Sequence, residues 1–274
     1  TLEGEQPYSY LIFTNSTGYY AINGTTGDID FSHSSNASYV FIQAKTALGS
    51  DGNGAIYVKT GTYQLDTAIP AGKHTHFIGE GAATVTLNVT ANVNCFTIDS
   101  CATGRTAWEI SGFFINMNNY SGHGIYGSYT GNSHAYCKLG KLDIDNVKAG
   151  YCAIYLKEPM NIDANSIRIK TDGTGIKLEG LATPDINWGN SMFSQIRIGL
   201  MANDAIGVHL LADDTHWMNL IQFNRLQVIG GDRSGTVAIK MEYTYWCDFF
   251  ATNIEDCDTG ILTENVLDCH WYGG

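Results

Sequence analysis

The chain has 274 residues, of which 44% are hydrophobic and 15% are charged, and its formal net charge is −12 at pH 7. This negative charge argues against nucleic acid as a partner, because phosphate binding needs a cationic face. No window of roughly 18 apolar residues occurs, so the sequence predicts no membrane span. The seven cysteines include no Cys-x-x-Cys pair, and no zinc or other metal site is expected from them.

The chain begins with two predicted segments. Residues 1–35 contain two tyrosine-rich, strand-like runs on either side of a turn at 15–18, which predicts an N-terminal β-hairpin or assembly segment. In residues 36–53, Asn36 is expected to cap a helix over residues 39–48, and a glycine-rich link follows. We expect this capping helix to cover the apolar end of the segment that comes next.

The third segment, residues 54–274, begins with a run of very short strands. In residues 54–81, glycines and a Pro-Ala-Gly turn interrupt the apolar alternation so often that only three strands of a few residues fit. Three short strands joined by sharp bends amount to one coil of a wound parallel sheet. The segment is therefore predicted to be a solenoid.

The opening of this solenoid resembles a known superfamily. The capping helix, the glycine-rich link and the sequences AIYVKTGTY (residues 55–63) and HFIGEG (residues 76–81) resemble the start of pectate-lyase-like and phage-tailspike-like right-handed β-helices. The likeness covers roughly residues 36–90. It implies an all-β fold, a single-stranded right-handed parallel β-helix with an N-terminal capping α-helix. It implies no single activity, because the superfamily includes lyases, hydrolases, epimerases and non-catalytic spikes.

Recurring side chains predict which residues stack on one another. A strand that reads Gly/Ala, Ile/Val, any residue, apolar residue starts at Ala153, Gly175, Gly207, Ala238 and Gly260. A second apolar strand keeps step with it, as expected if each coil adds one strand to each sheet. A further ladder consists of Leu139, Ala164, Phe193, Phe223, Phe249 and Trp271. We expect this ladder to stack inside the solenoid.

Outward-facing residues of a solenoid form columns, with neighbours about 4.8 Å apart. The first predicted column contains Asp143, Arg168, Arg197, Gln227 and Asn253. Arg168 and Arg197 are predicted to bind the carboxylates of an acidic glycan, because a lyase must neutralise a uronate carboxylate before the α-proton can leave. The alternative is a solvated ladder in which Asp143 pairs with Arg168, an interaction that stabilises little.

The second predicted column contains Asp163, Met192, Gln222, Asp248 and His270. Asp248 and His270 fall on successive coils, where a carboxylate can orient an imidazole, and they are a candidate catalytic pair. The alternative is a structural staple, because Cys247 and Cys269 immediately precede the two residues.

The third candidate site is a loop with two carboxyl groups and an imidazole. Asp213, Asp214 and His216 are the predicted acid/base groups, since glycosidases work with two carboxyl groups. Adjacent carboxylates also suit Ca²⁺, the one cofactor left open. Stacking on sugar rings is predicted for the indoles of Trp188, Trp217 and Trp246. The alternative is an ordinary turn rich in aspartate.

A further outward row contains Tyr155, Lys177, His209 and Lys240. Lys157, Glu179 and Glu242 lie beside it. Together with these neighbours the row carries charges of both signs, and it is interpreted as a mixed-charge surface sheet.

Glycosylation signals bear on the location of the protein. Asn-x-Ser/Thr sequons occur at Asn15, Asn23, Asn36, Asn88 and Asn119. With so much asparagine, serine and threonine, about three would arise by chance. They favour an extracellular, cell-surface or virion location.

The predicted function is extracellular recognition of polysaccharide, as a tailspike-like or cell-surface module. Cleavage of an acidic glycan, as a lyase or a glycoside hydrolase, is left open, because no catalytic motif of the superfamily is found. The alternative is a non-catalytic structural protein. In that case the uncapped β-helix assembles into a surface filament or virion fibre, as a trimer or a head-to-tail polymer.

Overall fold

The computed structural model describes residues 8–49, 52–72, 74–98, 107–127, 137–159, 161–180, 191–216 and 218–273. The N-terminal elements are β1 (Tyr10–Asn15), β2 (Gly18–Asn23), β3 (Ile29–His33) and α1 (Ala37–Ala47). The next strands are β4 (Gly54–Val58), β5 (Gly61–Leu65), β6 (Ile69–Ala71), β7 (Thr75–Gly79), β8 (Val85–Val89), β9 (Phe96–Ile98), β10 (Glu109–Ser111), β11 (Phe114–Asn116) and β12 (Ile125–Gly127). Longer strands follow: β13 (Cys137–Val147), β14 (Cys152–Lys157), β15 (Ile162–Thr171), β16 (Thr174–Glu179), β17 (Ser191–Leu200) and β18 (Ile206–Leu211). The remaining strands are β19 (Met218–Asn219), β20 (Ile221–Glu242), β21 (Thr244–Tyr245), β22 (Asp248–Phe250), β23 (Asn253–Glu264) and β24 (His270–Tyr272).

The N-terminal strands are continuous with the first coil. β1, β2 and β3 form an antiparallel meander. β1 also pairs in parallel with β4, where Tyr10 lies opposite Ile56. This segment therefore extends the sheet of the first coil on its N-terminal side.

The helix α1 covers the apolar end of the first coil, as predicted. Phe41 is fully buried and meets the ring of Tyr63 edge-on at 5.7 Å. The helix begins slightly earlier than the sequence indicated, and the capping hydrogen bond expected from Asn36 is not formed. Asn36 Nδ2 donates instead to both carboxylate oxygens of Asp66, each at 2.8 Å. No helix in the described residues has the length and apolarity of a membrane span.

The rest of the structure is a parallel winding. One ladder runs through β4, β7, β10, β13, β15, β17, β20, β22 and β24. Another runs through β6, β9, β12, β14, β16, β18, β20 and β23. A third begins with β5, β8 and β11 and joins the C-terminal half of β13. The predicted all-β fold, a parallel β-helix with a capping helix, is confirmed.

Single left-handed residues form one of the bends in the C-terminal coils. On five successive coils this bend has a positive φ between 50° and 58°, within a long strand at Lys141, Ser166, Gln195 and Arg225 and between β22 and β23 at Ala251. Such a residue turns the chain sharply without ending the strand pairing on either side. The bend separates the first ladder from the next one within a coil.

The register of the predicted internal ladder is confirmed for every residue, but its last member, Trp271, is 40% exposed and not inside the solenoid. Leu139, Ala164, Phe193, Phe223, Phe249 and Trp271 pair in register from one coil to the next. The ring of Phe223 stacks on Phe193 at 5.0 Å and on Phe249 at 5.3 Å. These three phenylalanines are fully buried, so the ladder forms the centre of the apolar core.

Candidate functional site

The first predicted column is in register, and it contains both a paired and an unpaired arginine. Arg168 lies between Asp143 and Arg197 on successive coils. Its Nε and Nη2 donate to the two carboxylate oxygens of Asp143 at 3.1 and 2.9 Å, which is the ion pair of the alternative interpretation. Arg197 has no ion pair with any described residue. Among the described residues, its guanidinium is therefore the cation of the column that has no carboxylate partner.

The column borders a groove with a volume of about 240 Å³. Its cationic lining consists of Arg168, Lys170, Arg197 and Arg233, which we call the arginine groove. The lining contains no described aspartate or glutamate. Lys170 Nζ lies 3.8 Å from the nearest carboxylate oxygen, on Asp145. A protein with a net charge of −12 thus carries a locally cationic surface.

The arginine groove is completed from a third coil. Arg233 lies within β20, and its Nη1 donates to the carbonyl groups of Gly230 and Gly231 at 3.4 and 3.3 Å. These bonds occupy one end of the guanidinium and leave its positive charge without a carboxylate among the described residues. The groove therefore offers an anion a row of donors on successive coils.

The second column brings Asp248 and His270 together. His270 Nδ1 lies 3.2 Å from Asp248 Oδ1, and the imidazole is about half exposed. The two cysteines of the alternative interpretation, a structural staple, are also in contact, since the backbone N–H of Cys247 donates to Cys269 Sγ at 3.4 Å. Both cysteines are free thiols. The pair stays a candidate, with no other titratable group described within hydrogen-bond distance of His270.

The loop at Asp213 holds its carboxylate in a turn. Asp213 Oδ1 accepts hydrogen bonds from the backbone N–H groups of Thr215 and His216, each at 2.9 Å, and from the Thr215 hydroxyl at 2.8 Å. His216 Nδ1 lies 2.7 Å from the same oxygen. The bonds from Thr215, aided by His216, lower the pKa of Asp213 to about 2. This carboxylate is ionised at neutral pH and cannot act as a general acid, while Asp214 is exposed.

Of the three predicted sugar-stacking indoles, one is described. Trp246 is 47% exposed and stacks on Tyr245 at 4.3 Å. Trp188 and Trp217 lie outside the described residues. Trp246 follows β21, so it is carried on a different part of the coil from the arginine groove.

The five sequon asparagines differ in accessibility. Asn15 and Asn119 are exposed. Asn23 donates to Asp30 Oδ2 at 2.8 Å. Asn36 is held by the bonds to Asp66 described above, and Asn88 donates to Gln64 at 2.6 Å. Asn15 and Asn119 are therefore the sequons whose amides are most open to a glycosyl group.

The outward row interpreted as a surface sheet is more buried than the sequence indicated. Tyr155, Lys177 and His209, which we call the polar row, lie in register on three successive coils. Glu179 is only 7% exposed. It accepts a hydrogen bond from the Tyr155 hydroxyl and lies 3.0 Å from Lys177 Nζ and 3.3 Å from Lys157 Nζ. The row has the mixed charges of the interpretation, but this carboxylate is buried and not at the surface.

The same arrangement recurs at the other end of the polar row. Glu242 Oε1 lies 2.6 Å from Lys240 Nζ on its own coil and 2.9 Å from His209 Nε2 on the preceding coil. Burial lowers the pKa of His209, although the Glu242 carboxylate acts in the opposite direction. His209 is consequently neutral at pH 7. Each glutamate thus bridges a lysine of its own coil and a polar side chain of the coil before it.

Aromatic side chains flank the polar row. His123 stacks on Tyr126 at 5.3 Å and meets Tyr155 edge-on at 5.2 Å. Its Nδ1 accepts the backbone N–H of Cys152 at 2.9 Å. Burial lowers the pKa of His123 to about 4, so its imidazole is neutral at pH 7. Lys177 Nζ lies 4.7 Å above the Tyr155 ring, within the range of a cation–π contact.

One sequence signal could have revealed the polar row as a cluster. Residues i and i+2 of a strand share a face. Lys177 and Glu179, and likewise Lys240 and Glu242, have this spacing. A glutamate that follows two residues after a lysine can reach the outward residue of the adjacent coil, as both do here.

The described residues contain no group of three or more histidine, cysteine, aspartate or glutamate side chains that could hold a metal ion. Asp213 and Asp214, considered for Ca²⁺, do not form such a group among them.

No family model matches the chain, and no curated protein is similar in sequence. Solved structures that are similar include ORF18 of Geobacillus virus E2, with 12% identity and a TM-score of 0.47 over 94% of this chain and 68% of that one. The A-module of mannuronan C-5 epimerase AlgE4 from Azotobacter vinelandii has 9% identity and a TM-score of 0.37 over 87% and 92%. The A-module of AlgE6 from the same organism has 8% identity and a TM-score of 0.36 over 88% and 96%. At these identities the similarity concerns the fold alone.

Proposed function

We propose that this protein binds an acidic polysaccharide along the arginine groove. The observation that supports the proposal is the charge of that groove, which is cationic in a protein whose net charge is −12. A polymer with a carboxylate on each sugar presents anions at regular intervals. A β-helix presents side chains at regular intervals of about 4.8 Å, so several contacts can form along one chain.

Arg197 is the central contact in this proposal. Its guanidinium can donate two parallel hydrogen bonds to a carboxylate, and no described carboxylate competes for it. Arg168 differs, because Asp143 already accepts hydrogen bonds from its Nε and Nη2 and neutralises its charge. We therefore assign the primary carboxylate contact to Arg197 and a supporting electrostatic role to Arg168, Lys170 and Arg233.

The natural setting proposed for this activity is outside the cell or on a virion. Acidic polysaccharides coat cell surfaces, and a soluble β-helix that binds them would act as a recognition module. The cationic groove is a surface feature, so ligand access needs no opening of the fold. Cleavage or modification of the bound polymer would require a second set of side chains, because the groove itself offers donors but no base.

Replacing Arg197 by glutamine is expected to weaken binding of polygalacturonate or polymannuronate about tenfold or more. A hydrogen bond to a charged group contributes about 1.5–3 kcal/mol, and each 1.4 kcal/mol corresponds to a factor of ten in Kd. Isothermal titration calorimetry at low and at moderate salt measures the change. The salt dependence should become less steep in the variant, because one charge contact is lost.

The matched control for this experiment is Lys59→Gln, which also removes one positive charge. Lys59 is half exposed, pairs with Glu80 at 2.7 Å and lies outside the groove lining. Its replacement should leave the Kd within about twofold of the wild-type value. Equal loss of affinity in both variants would mean that net charge and not the groove determines binding, and would overturn the proposal.

A further inference from the structure

Two cysteine side chains meet on the last two coils of the solenoid. Where β22 pairs with β24, Asp248 lies opposite His270. Cys247 and Cys269 each come one residue earlier, so the two cysteines are neighbours on successive coils. The backbone N–H of His270 donates to the Cys247 carbonyl oxygen at 2.9 Å, and the Cys247 N–H donates to Cys269 Sγ at 3.4 Å. These hydrogen bonds hold the two backbones side by side.

The spacing of these backbones suits a disulfide bond. Residues in register on adjacent parallel strands have Cα atoms about 4.8 Å apart, within the range of about 4.4–6.8 Å that a disulfide spans. The two side chains face each other, because the thiols of Cys247 and Cys269 share a hydrogen bond. Formation of a disulfide therefore needs no rearrangement of the coils.

The two thiols differ in exposure and in the groups around the sulfur. Cys247 is fully buried, whereas Cys269 is partly exposed. The Thr244 hydroxyl lies 4.0 Å from Cys269 Sγ. The hydrogen bond from the Cys247 thiol, aided by the Cys247 N–H and by Thr244, lowers the pKa of Cys269. The bond to Cys269, together with burial, raises the pKa of Cys247, so Cys269 is the thiol that ionises first.

We propose that Cys247 and Cys269 are an oxidation site, at which a hydroperoxide converts the two thiols into a disulfide. Cys269 attacks the oxidant, because its sulfur is the one within reach of solvent, and Cys247 completes the bond. The site uses no residue of the arginine groove. It is therefore independent of the proposed binding of acidic polysaccharide, and either assignment can fail without the other.

The reaction transfers two electrons from the two thiols to the peroxide. The Cys269 thiolate attacks one oxygen of hydrogen peroxide, an S–O bond forms, and the O–O bond breaks with loss of hydroxide. The sulfur of Cys247 then attacks Cys269 Sγ, the S–S bond forms, and the S–O bond breaks. The second hydroxide leaves and takes the Cys247 proton. Two thiols and one hydrogen peroxide thus give one disulfide and two water molecules, and a dithiol reductant reverses the change by thiol–disulfide exchange.

The disulfide would connect an edge strand to the coil before it. β24 pairs with β22 through three residue pairs, and all three residues of β24 are exposed. Among the described strands, β24 pairs with no other. Strands with few buried contacts open locally at little cost in free energy. A covalent bond to Cys247 limits the conformations of the opened strand, so oxidation should suppress its opening.

The test treats the reduced protein with hydrogen peroxide, alkylates the remaining thiols and maps the cysteines by mass spectrometry. Trypsin leaves the C-terminal cysteines in one peptide, because no lysine or arginine follows Lys240. A protease specific for glutamate cleaves after Glu255 and Glu264 and separates them. The peptides that carry Cys247 and Cys269 should then be found joined, with the loss of two hydrogen atoms, and dithiothreitol should separate them.

Cys257 is the matched control thiol within the same chain. It is partly exposed, and its Sγ donates to the carbonyl oxygen two residues earlier at 3.5 Å, as Cys269 Sγ does. Its register partner on the preceding coil is Arg233, and burial raises its pKa. Iodoacetamide should therefore alkylate Cys269 of the reduced protein at neutral pH about fivefold or more faster than Cys257. Cys257 should not be found in a disulfide.

Cys247→Ala removes the second thiol and leaves Cys269 open to the peroxide. This variant should form no disulfide within the chain, and its Cys269 should proceed to sulfinic acid. Hydrogen exchange of residues 265–274 should slow about tenfold or more when the wild-type protein is oxidised, and should not slow in the variant.

The mapping of the wild-type protein involves no substitution, so misfolding of the variant does not affect it. Absence of the joined peptides after peroxide treatment overturns the oxidation site. Joined peptides that contain Cys257 in equal yield overturn it as well, since they would show that proximity of Cys247 and Cys269 does not decide the reaction. Equal hydrogen exchange in reduced and oxidised wild-type protein would contradict the predicted effect on β24.

Discussion

Phe223→Ala is expected to lower the free energy of unfolding by about 3–5 kcal/mol. Phe223 is fully buried, and its ring stacks between Phe193 and Phe249 at 5.0 and 5.3 Å. Removing the ring leaves a cavity between two coils whose backbones are fixed by strand pairing on both sides. The neighbouring rings cannot close the cavity without breaking that pairing, so the full destabilisation by the cavity is expected. Urea unfolding followed by circular dichroism measures the loss in free energy of unfolding.

The matched control is Phe250→Ala, one residue after the ladder position Phe249. Phe250 points to the other face of β22, is partly exposed and stacks on Tyr272 at 4.7 Å. Its replacement should cost about 1 kcal/mol, the value of an aromatic pair at a partly solvated site. If Phe223→Ala and Phe250→Ala cost the same, the phenylalanine ladder is not the centre of the core.

Gly112→Ala is expected to lower the free energy of unfolding by about 2–5 kcal/mol. Gly112 has a φ of 78°, and a Cβ at this position would lie 2.3 Å from the backbone oxygen of Gly79 on the preceding coil. The equivalent residue of the next coil is Lys141 with a φ of 50°, so the bend itself accepts a side chain. Gly112 differs from Lys141 in its close contact with the backbone of Gly79. That backbone cannot move aside as a flexible side chain can, so an added Cβ would strain the structure.

Gly150→Ala isolates the backbone contribution. Gly150 has a φ of 85°, and an added Cβ would meet no atom within 4 Å. In this variant the free energy of unfolding should fall by only about 1–2 kcal/mol, the cost of placing an alanine in the left-handed conformation. The melting temperatures of the two variants in one buffer give the comparison. A Gly112→Ala protein as stable as Gly150→Ala would show that the two coils can move apart at this position.

Much of the fold follows from the recurrence of residue types along the sequence. The register of the ladder from Leu139 to Trp271 could be predicted in full, because each coil adds one strand to each sheet and the apolar positions keep step. The same register places Arg168 beside Arg197 and Asp248 beside His270, as predicted. Register is set by the buried face, so the outward columns follow from the inward ones.

The contacts of the outward residues were harder to predict. Alternation indicates that Glu179 points outward, but it does not indicate that neighbouring side chains bury this carboxylate to 7% exposure. At Asp213 the sequence shows a carboxyl group close to an imidazole. It does not show that the hydrogen bonds of Thr215 and His216 lower the pKa of that carboxyl to about 2. Asn36 stands at the expected cap position, yet Asp66 from the first coil binds its side chain.

These differences have one physical cause. Inward positions are decided by the transfer of apolar surface from water, which depends on residue type alone to a first approximation. Outward polar groups can pair with several different partners, and the interaction free energies of these pairs differ by about 1 kcal/mol or less. The choice depends on side chains from adjacent coils and loops, whose distances are not encoded in any short stretch of sequence.

The most direct test of the account compares one polymer with and without its charge. Polygalacturonate and the same polymer with its carboxyl groups reduced to alcohols are titrated into the wild-type protein by calorimetry. If the arginine groove binds carboxylates, the native polymer should bind at least about tenfold more tightly than the reduced one, and added salt should narrow the difference. Equal affinity for the two polymers at low salt would contradict the account.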